Sequence, residues 1–220
     1  MLPAILFDLD GTLTDPRDGI VRSIRHAVER LGIACPPDAA LERYIGPPLH
    51  ESFAELLGPA RASEASRAVA LYRERYAPVG MYENRVYPGI RELLGSLRAA
   101  GHRLIVCTSK PTVFAERIVG HFELAGFFEA IHGSELDGTR TDKRELMAHL
   151  LRATGLHGSA AVMVGDRLHD VAAARAHGLR AVGVLWGYGS ADELRAAGAD
   201  ALVERPEDVA AAVQRENRSW

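Results

Sequence analysis

Ala4-Ile5-Leu6-Phe7-Asp8-Leu9-Asp10-Gly11-Thr12 sets four apolar residues, β-branched and aromatic among them, directly before two carboxylates, a glycine and a hydroxyl. The apolar run reads as a short buried strand and the polar residues as its end. Open parallel sheets bind ligands beyond the carboxyl ends of their strands. Alternation along the strand sends Asp8 and Asp10 to one side and Leu9 to the other, so the spacing predicts a carboxylate pair able to share one ion. An Asp-Gly turn closing a strand has the same letters, and the decision falls to the rest of the chain.

From Tyr87 onward the sequence alternates apolar runs with amphipathic segments. Leu104-Ile105-Val106-Cys107, Ala161-Val162-Met163-Val164, Ala181-Val182-Gly183-Val184 and Ala201-Leu202-Val203 read as buried parallel strands. Between them Ile90, Leu93, Leu94 and Leu97 share one helical face, as do Phe114, Ile118 and Phe122, and then Leu146, Met147, Leu150 and Leu151. Gly101, Gly178 and Gly198 stand where a left-handed residue ends each helix. The expectation is a Rossmann-like α/β fold, a doubly wound parallel sheet built of repeated βα units.

Residues 15–84 break this rhythm. Ile20, Ile24, Ala27 and Leu31 form a helical stripe, and Pro36-Pro37, Gly46-Pro47-Pro48 and Gly58-Pro59 divide the segment into several helices. The predicted organisation is an α/β core of residues 1–14 and 85–220 with an all-helical insertion of residues 15–84.

The bulk properties narrow the function. The 220 residues carry a net charge of −3, 47% hydrophobic and 25% charged residues, an ordinary globular balance with neither a basic footprint for a nucleic-acid polymer nor a polybasic membrane patch. No run reaches the about 18 apolar residues of a membrane span, and the N-terminus lacks the pattern of a signal peptide. Cys35 and Cys107 lie in no zinc or disulfide spacing, which fits a reducing cytoplasm. Only the tail from Arg215 to Trp220 is expected to be disordered.

Two further strand ends carry chemistry. Thr108-Ser109-Lys110 follows the second apolar run and precedes a helix, where hydroxyls and free amides can hold phosphate or simply cap that helix. Gly165-Asp166-Arg167-Leu168-His169-Asp170 follows the third and adds two carboxylates. Lys143 opens the helix before that strand, as a site residue or a solvated charge.

Taken in order, Asp8-Leu9-Asp10-Gly11-Thr12, Thr108, Lys143, and Gly165-Asp166 with Asp170 resemble motifs I to IV of the haloacid dehalogenase superfamily over nearly the whole chain. The insertion is similar to the helical C1 cap of the phosphoglycolate phosphatase-like branch. The resemblance implies a phosphatase in which Asp8 attacks phosphorus to give an aspartyl-phosphate, Asp10 acts as acid and base, and Lys143 steadies Asp8 and the phosphoryl group. Thr108 and the Ser109 amide would bind a phosphoryl oxygen. Mg²⁺ would be held by Asp8, the carbonyl of Asp10 and Asp166, with Asp170 a ligand or an orienter of water. The chain departs from the family pattern in two places: Arg167 replaces the common Ser or Thr, and Arg144 replaces the proline after the motif III lysine.

The Asp-Gly-Thr of motif I resembles phosphatases rather than phosphomutases. Arg17, Arg43 and Gly46 are the expected specificity residues of the cap. Tyr72-Arg73-Glu74-Arg75-Tyr76 and Gly133-Ser134-Glu135-Leu136-Asp137-Gly138 resemble bacterial phosphatases called 5′-nucleotidase, which ranks a nucleoside 5′-monophosphate slightly ahead of phosphoglycolate. A phosphomutase and a receiver-like phosphate-sensing module are the competing readings from other classes.

Overall fold

The structure is a computed structural model that describes residues 2–214, so the expected disorder of the tail lies outside the described residues. The chain divides into two units, residues 2–14 with 86–214, and residues 15–85.

The first unit is built on a six-stranded sheet. Its strands are β1 (Ala4–Phe7), β4 (Leu104–Pro111), β5 (Ala130–Ser134), β6 (Ala161–Gly165), β7 (Arg180–Val184) and β8 (Ala201–Val203), while β2 (Thr14–Asp15) and β3 (Arg85–Val86) pair separately where the chain leaves and re-enters the unit. The order is β5-β4-β1-β6-β7-β8 with every pairing parallel. β1 is central, with Ile5 opposite Leu104 on one side and Val162 on the other. Covered on both faces, all four of its side chains are buried, which is why the strand reads as an unbroken apolar run.

Helices α5 (Ile90–Ala99), α6 (Thr112–His121), α7 (Lys143–Thr154), α8 (Leu168–Ala176), α9 (Ala191–Ala197) and α10 (Val209–Gln214) join the strands. Alternation directs Ala4 and Leu6 into a cluster with Leu146, Met147, Val171 and Leu194, from α7, α8 and α9. Right-handed crossovers place α5 and α6 on the opposite face, and α10 packs against α5. Gly101, Gly178 and Gly198 do adopt positive φ at the helix ends.

Two local expectations need correction. The apolar run predicts a strand that ends at Cys107, but β4 runs to Pro111 through an irregularity in which the four steps from Cys107 to Pro111 face the two from His132 to Ser134. β5 has no counterpart among the expected strands: it is an edge strand whose first three residues are only half-buried and whose polar content hides it. Gly133 allows the close approach: a Cβ there would collide with the Lys110 carbonyl and stand 2.8 Å from the Thr112 nitrogen.

The second unit consists of α1 (Arg17–Arg30), α2 (Asp38–Leu41), α3 (Leu49–Leu57) and α4 (Ala65–Tyr76) with short 3-10 turns. Ile20, Ile24 and Ala27 are buried, and its aromatic centre is Tyr72, stacked on Tyr76 at 5.0 Å and edge-on to Phe53 at 6.1 Å. Glu83 ties the return segment down, accepting hydrogen bonds from Arg22 at 2.7 Å and from Arg75 at 2.7 and 3.0 Å.

Candidate active site

The chain turns sharply once β1 ends at Phe7. The Asp8 amide donates to Val164 O at 2.9 Å, and Leu9 O accepts from the amides of Leu13 and Thr14 at 2.9 and 3.0 Å. Gly11 has φ +83°, and a Cβ on it would overlap the Asp166 carboxylate, so the turn requires glycine there.

Asp166 follows β6, and Asp170 lies in the first turn of α8, where its Oδ2 accepts the Arg167 amide at 3.0 Å. Gly165 lets the two approach, since its Cβ would overlap Asp170. Carboxylate oxygens of Asp8, Asp166 and Asp170, all buried, lie within 4.8 Å of one another. Lys143, the first residue of α7, places its ammonium 2.8 Å from Asp8 Oδ1 and in contact with Asp170 Oδ1.

Asp10 is not among these three carboxylates, contrary to the alternation argument, because the chain bends at Leu9 and turns from Gly11 to Leu13. Asp10 Oδ2 instead meets the Lys110 ammonium at 2.6 Å, while Oδ1 is buried without a hydrogen-bond partner among the described residues. Thr108 is buried in β4 with its hydroxyl accepting the Lys110 amide at 3.3 Å, and Ser109 O accepts from Ser134 Oγ at 2.7 Å.

Two elements escaped the sequence reading. Lys110 stands in the quoted Thr-Ser-Lys, where the expectation gives a task to the hydroxyls and amides and none to the ammonium. Trp186-Gly187-Tyr188-Gly189 follows β7 and would have been found by asking of that strand end what was asked of the others. The Tyr188 amide donates to Asp166 Oδ2 at 2.8 Å, and Trp186 Nε1 to Thr12 O at 3.0 Å. A Cβ at Gly187 would strike Asp166 and the Gly11 carbonyl, and one at Gly189 the Asp166 carbonyl.

In the helical unit, Arg17 pairs with Glu42 at 2.6 Å, and Arg43 pairs with Glu55 at 2.7 Å while lying 5.5 Å over the Tyr44 ring. Gly46 has φ +103°. Arg167 is held by Glu193 at 2.9 Å, a structural partner to α9.

Burial governs the electrostatics. It raises Asp166 well above the ordinary carboxyl range, with Asp170 and Asp8 pushing the same way. It raises Asp170 to about 6 against the opposing pull of Lys143, and it raises Asp10 against Lys110. Burial also drives the Cys107 thiol up to about 12, leaving it an inert packing group. At Lys143 burial acts downward, but Asp170 and Asp8 outweigh it and the ammonium stays charged. Three buried carboxyl groups against one ammonium favour taking up protons or a cation, and Asp166 Oδ1 is buried without a hydrogen-bond partner among the described residues. This donor set fits a divalent, oxygen-seeking cation.

A profile of the haloacid dehalogenase-like hydrolases matches residues 5–184. The chain is 55% identical over 196 residues to a protein of Pseudomonas aeruginosa called 5′-nucleotidase, covering 88% of this chain and 87% of that one. It is 44% identical to the tyrosine-protein kinase PtkA of Mycobacterium bovis over 86% of this chain but 64% of that one. A crystal structure described as a predicted phosphatase from Clostridium acetobutylicum superposes with a TM-score of 0.93 at 38% identity, covering 97% of this chain and 98% of the other. The chain belongs to the haloacid dehalogenase-like hydrolases and stands among their phosphoric monoester hydrolases.

Proposed function

We propose that the chain is a Mg²⁺-dependent phosphatase that hydrolyses a small phosphomonoester, a nucleoside 5′-monophosphate ahead of phosphoglycolate, through an aspartyl-phosphate on Asp8. The observation that carries this reading is the Lys143 ammonium 2.8 Å from Asp8 inside a buried carboxylate cluster. A carboxylate meets a phosphate dianion only where fixed positive charge offsets their repulsion, and buried charge does so best.

Asp8 bonds to phosphorus as the ester oxygen departs, and Asp10 gives that oxygen a proton, so the product leaves as an alcohol. Asp10 then takes a proton from the water that attacks the phosphoryl group, and Asp8 is released with inorganic phosphate. The Thr108 hydroxyl and the Ser109 amide hold a phosphoryl oxygen. Mg²⁺ would be held by Asp8, Asp166 and the Asp10 carbonyl, with Asp170 beside it, and supplies neutralisation of phosphoryl charge.

The helical unit is the proposed cap, with Arg17, Arg43 and Gly46 its specificity positions. The preference for a nucleotide draws on the 55% identical relative called 5′-nucleotidase. No helix among the described residues is long and apolar enough to cross a membrane, and Cys35 and Cys107 are both free, which supports a cytoplasmic setting.

Phosphate release from a panel of nucleoside 5′-monophosphates, phosphoglycolate and sugar phosphates, with Mg²⁺ and with chelator, tests the proposal. Multiple turnover that stops with chelator is the expected result, and the fastest substrate names the class. Transfer to a hydroxyl acceptor without phosphate release would favour a phosphotransferase, and no reaction a sensing module.

A further inference from the structure

We infer that Lys110 is the positioning residue of the acid–base step, fixing the Asp10 carboxyl so that Oδ1 alone exchanges protons with the reacting oxygens. The inference rests on the phosphatase reading above. Its basis is the unequal fate of the two Asp10 oxygens: Oδ2 lies 2.6 Å from the Lys110 ammonium, and Oδ1 is buried with no hydrogen-bond partner among the described residues. The oxygen that accepts from an ammonium is the less basic of the two, so the carboxyl proton is placed on Oδ1.

The lysine is itself held. Its side chain is 6% exposed, and its backbone sits in the irregular stretch of β4 that Gly133 and Ser134 brace from β5. Ser134 Oγ donates to Ser109 O at 2.7 Å, the Gly133 amide donates to Thr112 Oγ1 at 3.2 Å, and Thr112 Oγ1 donates to Ser134 O at 3.2 Å. The site therefore holds two lysines with separate tasks. Lys143 faces the attacking carboxylate, and Lys110 orients the proton-transferring one.

In the first half-reaction, the bond from phosphorus to the ester oxygen breaks as the bond from Asp8 to phosphorus forms, and the Oδ1 proton passes to the departing oxygen. In the second, Oδ1 takes a proton from the attacking water as the Asp8 to phosphorus bond breaks. A leaving group that departs readily as an anion has little use for that proton, which separates a positioning role from a structural one.

The test compares Lys110→Met and Lys110→Gln with the unaltered protein on two substrates: p-nitrophenyl phosphate and the fastest alkyl phosphate of the panel above. The readout is kcat/KM, which reports transfer of the phosphoryl group to Asp8, with thermal unfolding alongside. The expected result for Lys110→Met is a fall of about 100-fold on the alkyl ester with p-nitrophenyl phosphate held within about threefold. Lys110→Gln, which keeps a donor for Oδ2, is expected to recover part of the loss. An equal fall on both substrates, or no fall on either, overturns the inference while leaving the phosphatase reading intact. Absence of turnover by the unaltered protein overturns that reading and this one together.

Discussion

Lys143 approaches Asp8 at 2.8 Å while touching Asp170, so one buried ammonium is shared by carboxylates from two different strand ends. Removing one partner of such a pair leaves buried charge uncompensated, at a cost of about 3–5 kcal/mol. Lys143→Met is expected to lower the unfolding temperature and abolish turnover. Calorimetry checks the first and phosphate release the second. An unchanged melting temperature would contradict the shared-ammonium account.

Asp8→Asn is expected to abolish turnover while retaining part of the divalent-cation affinity, because Asp166 and Asp170 remain. Asp10→Asn should still accumulate some phosphoenzyme, since attack by Asp8 precedes the water step. Rapid-quench trapping of the labelled enzyme distinguishes the two variants, and normal turnover by Asp8→Asn would sink the mechanism.

The loop after β7 should matter to cation binding without touching substrate. Gly187→Ala forces a Cβ into Asp166 and the Gly11 carbonyl. The expected loss is about 10–100-fold in divalent-cation affinity, the scale of disturbing the groups that orient a ligand. Gly120→Ala in α6, where a Cβ meets nothing within 4 Å, is the control. It should stabilise the protein by about 0.5–1 kcal/mol and leave affinity alone. Titration calorimetry on both variants decides.

The pH dependence of the cation-free protein follows from burial. Asp170 is raised to about 6 in the fold from an ordinary value of 3.8, and Asp166 and Asp10 are raised too. Between those two values the native state holds more protons than the unfolded chain, so stability falls as pH rises through about 6. Melting temperature without cation should therefore be higher at pH 5 than at pH 8, a pair that spans the upper part of that window. Added Mg²⁺ should raise it more at pH 8, because binding there displaces fewer protons.

The parallel sheet was readable because β1, β4, β6 and β7 are buried on both faces and announce themselves as apolar runs. The edge strand β5 was not, since an edge with a half-exposed start has no such need. The cluster was legible from strand ends, and Asp166, Asp170 and Lys143 do meet Asp8. Asp10 went astray because alternation holds only while the backbone stays extended, and the chain bends at Leu9. Lys110 and the Trp186–Gly189 loop stand at strand ends like the rest, but their contacts with Asp10, Thr12 and Asp166 leave no mark in the local pattern.

The central place of β1 has a cost in time. Ile5 finds its neighbours Leu104 and Val162 only after about 100 and 160 more residues are made, and at about 5–20 residues per second the second arrives roughly 10–30 s late. Until then Ala4–Phe7 is an apolar segment without either of its strand neighbours, the kind of sequence that can pair with its own copies. Asp166 and Asp170 can join Asp8 only when synthesis has passed Asp170, so the carboxylate cluster forms late and no shorter fragment holds all three.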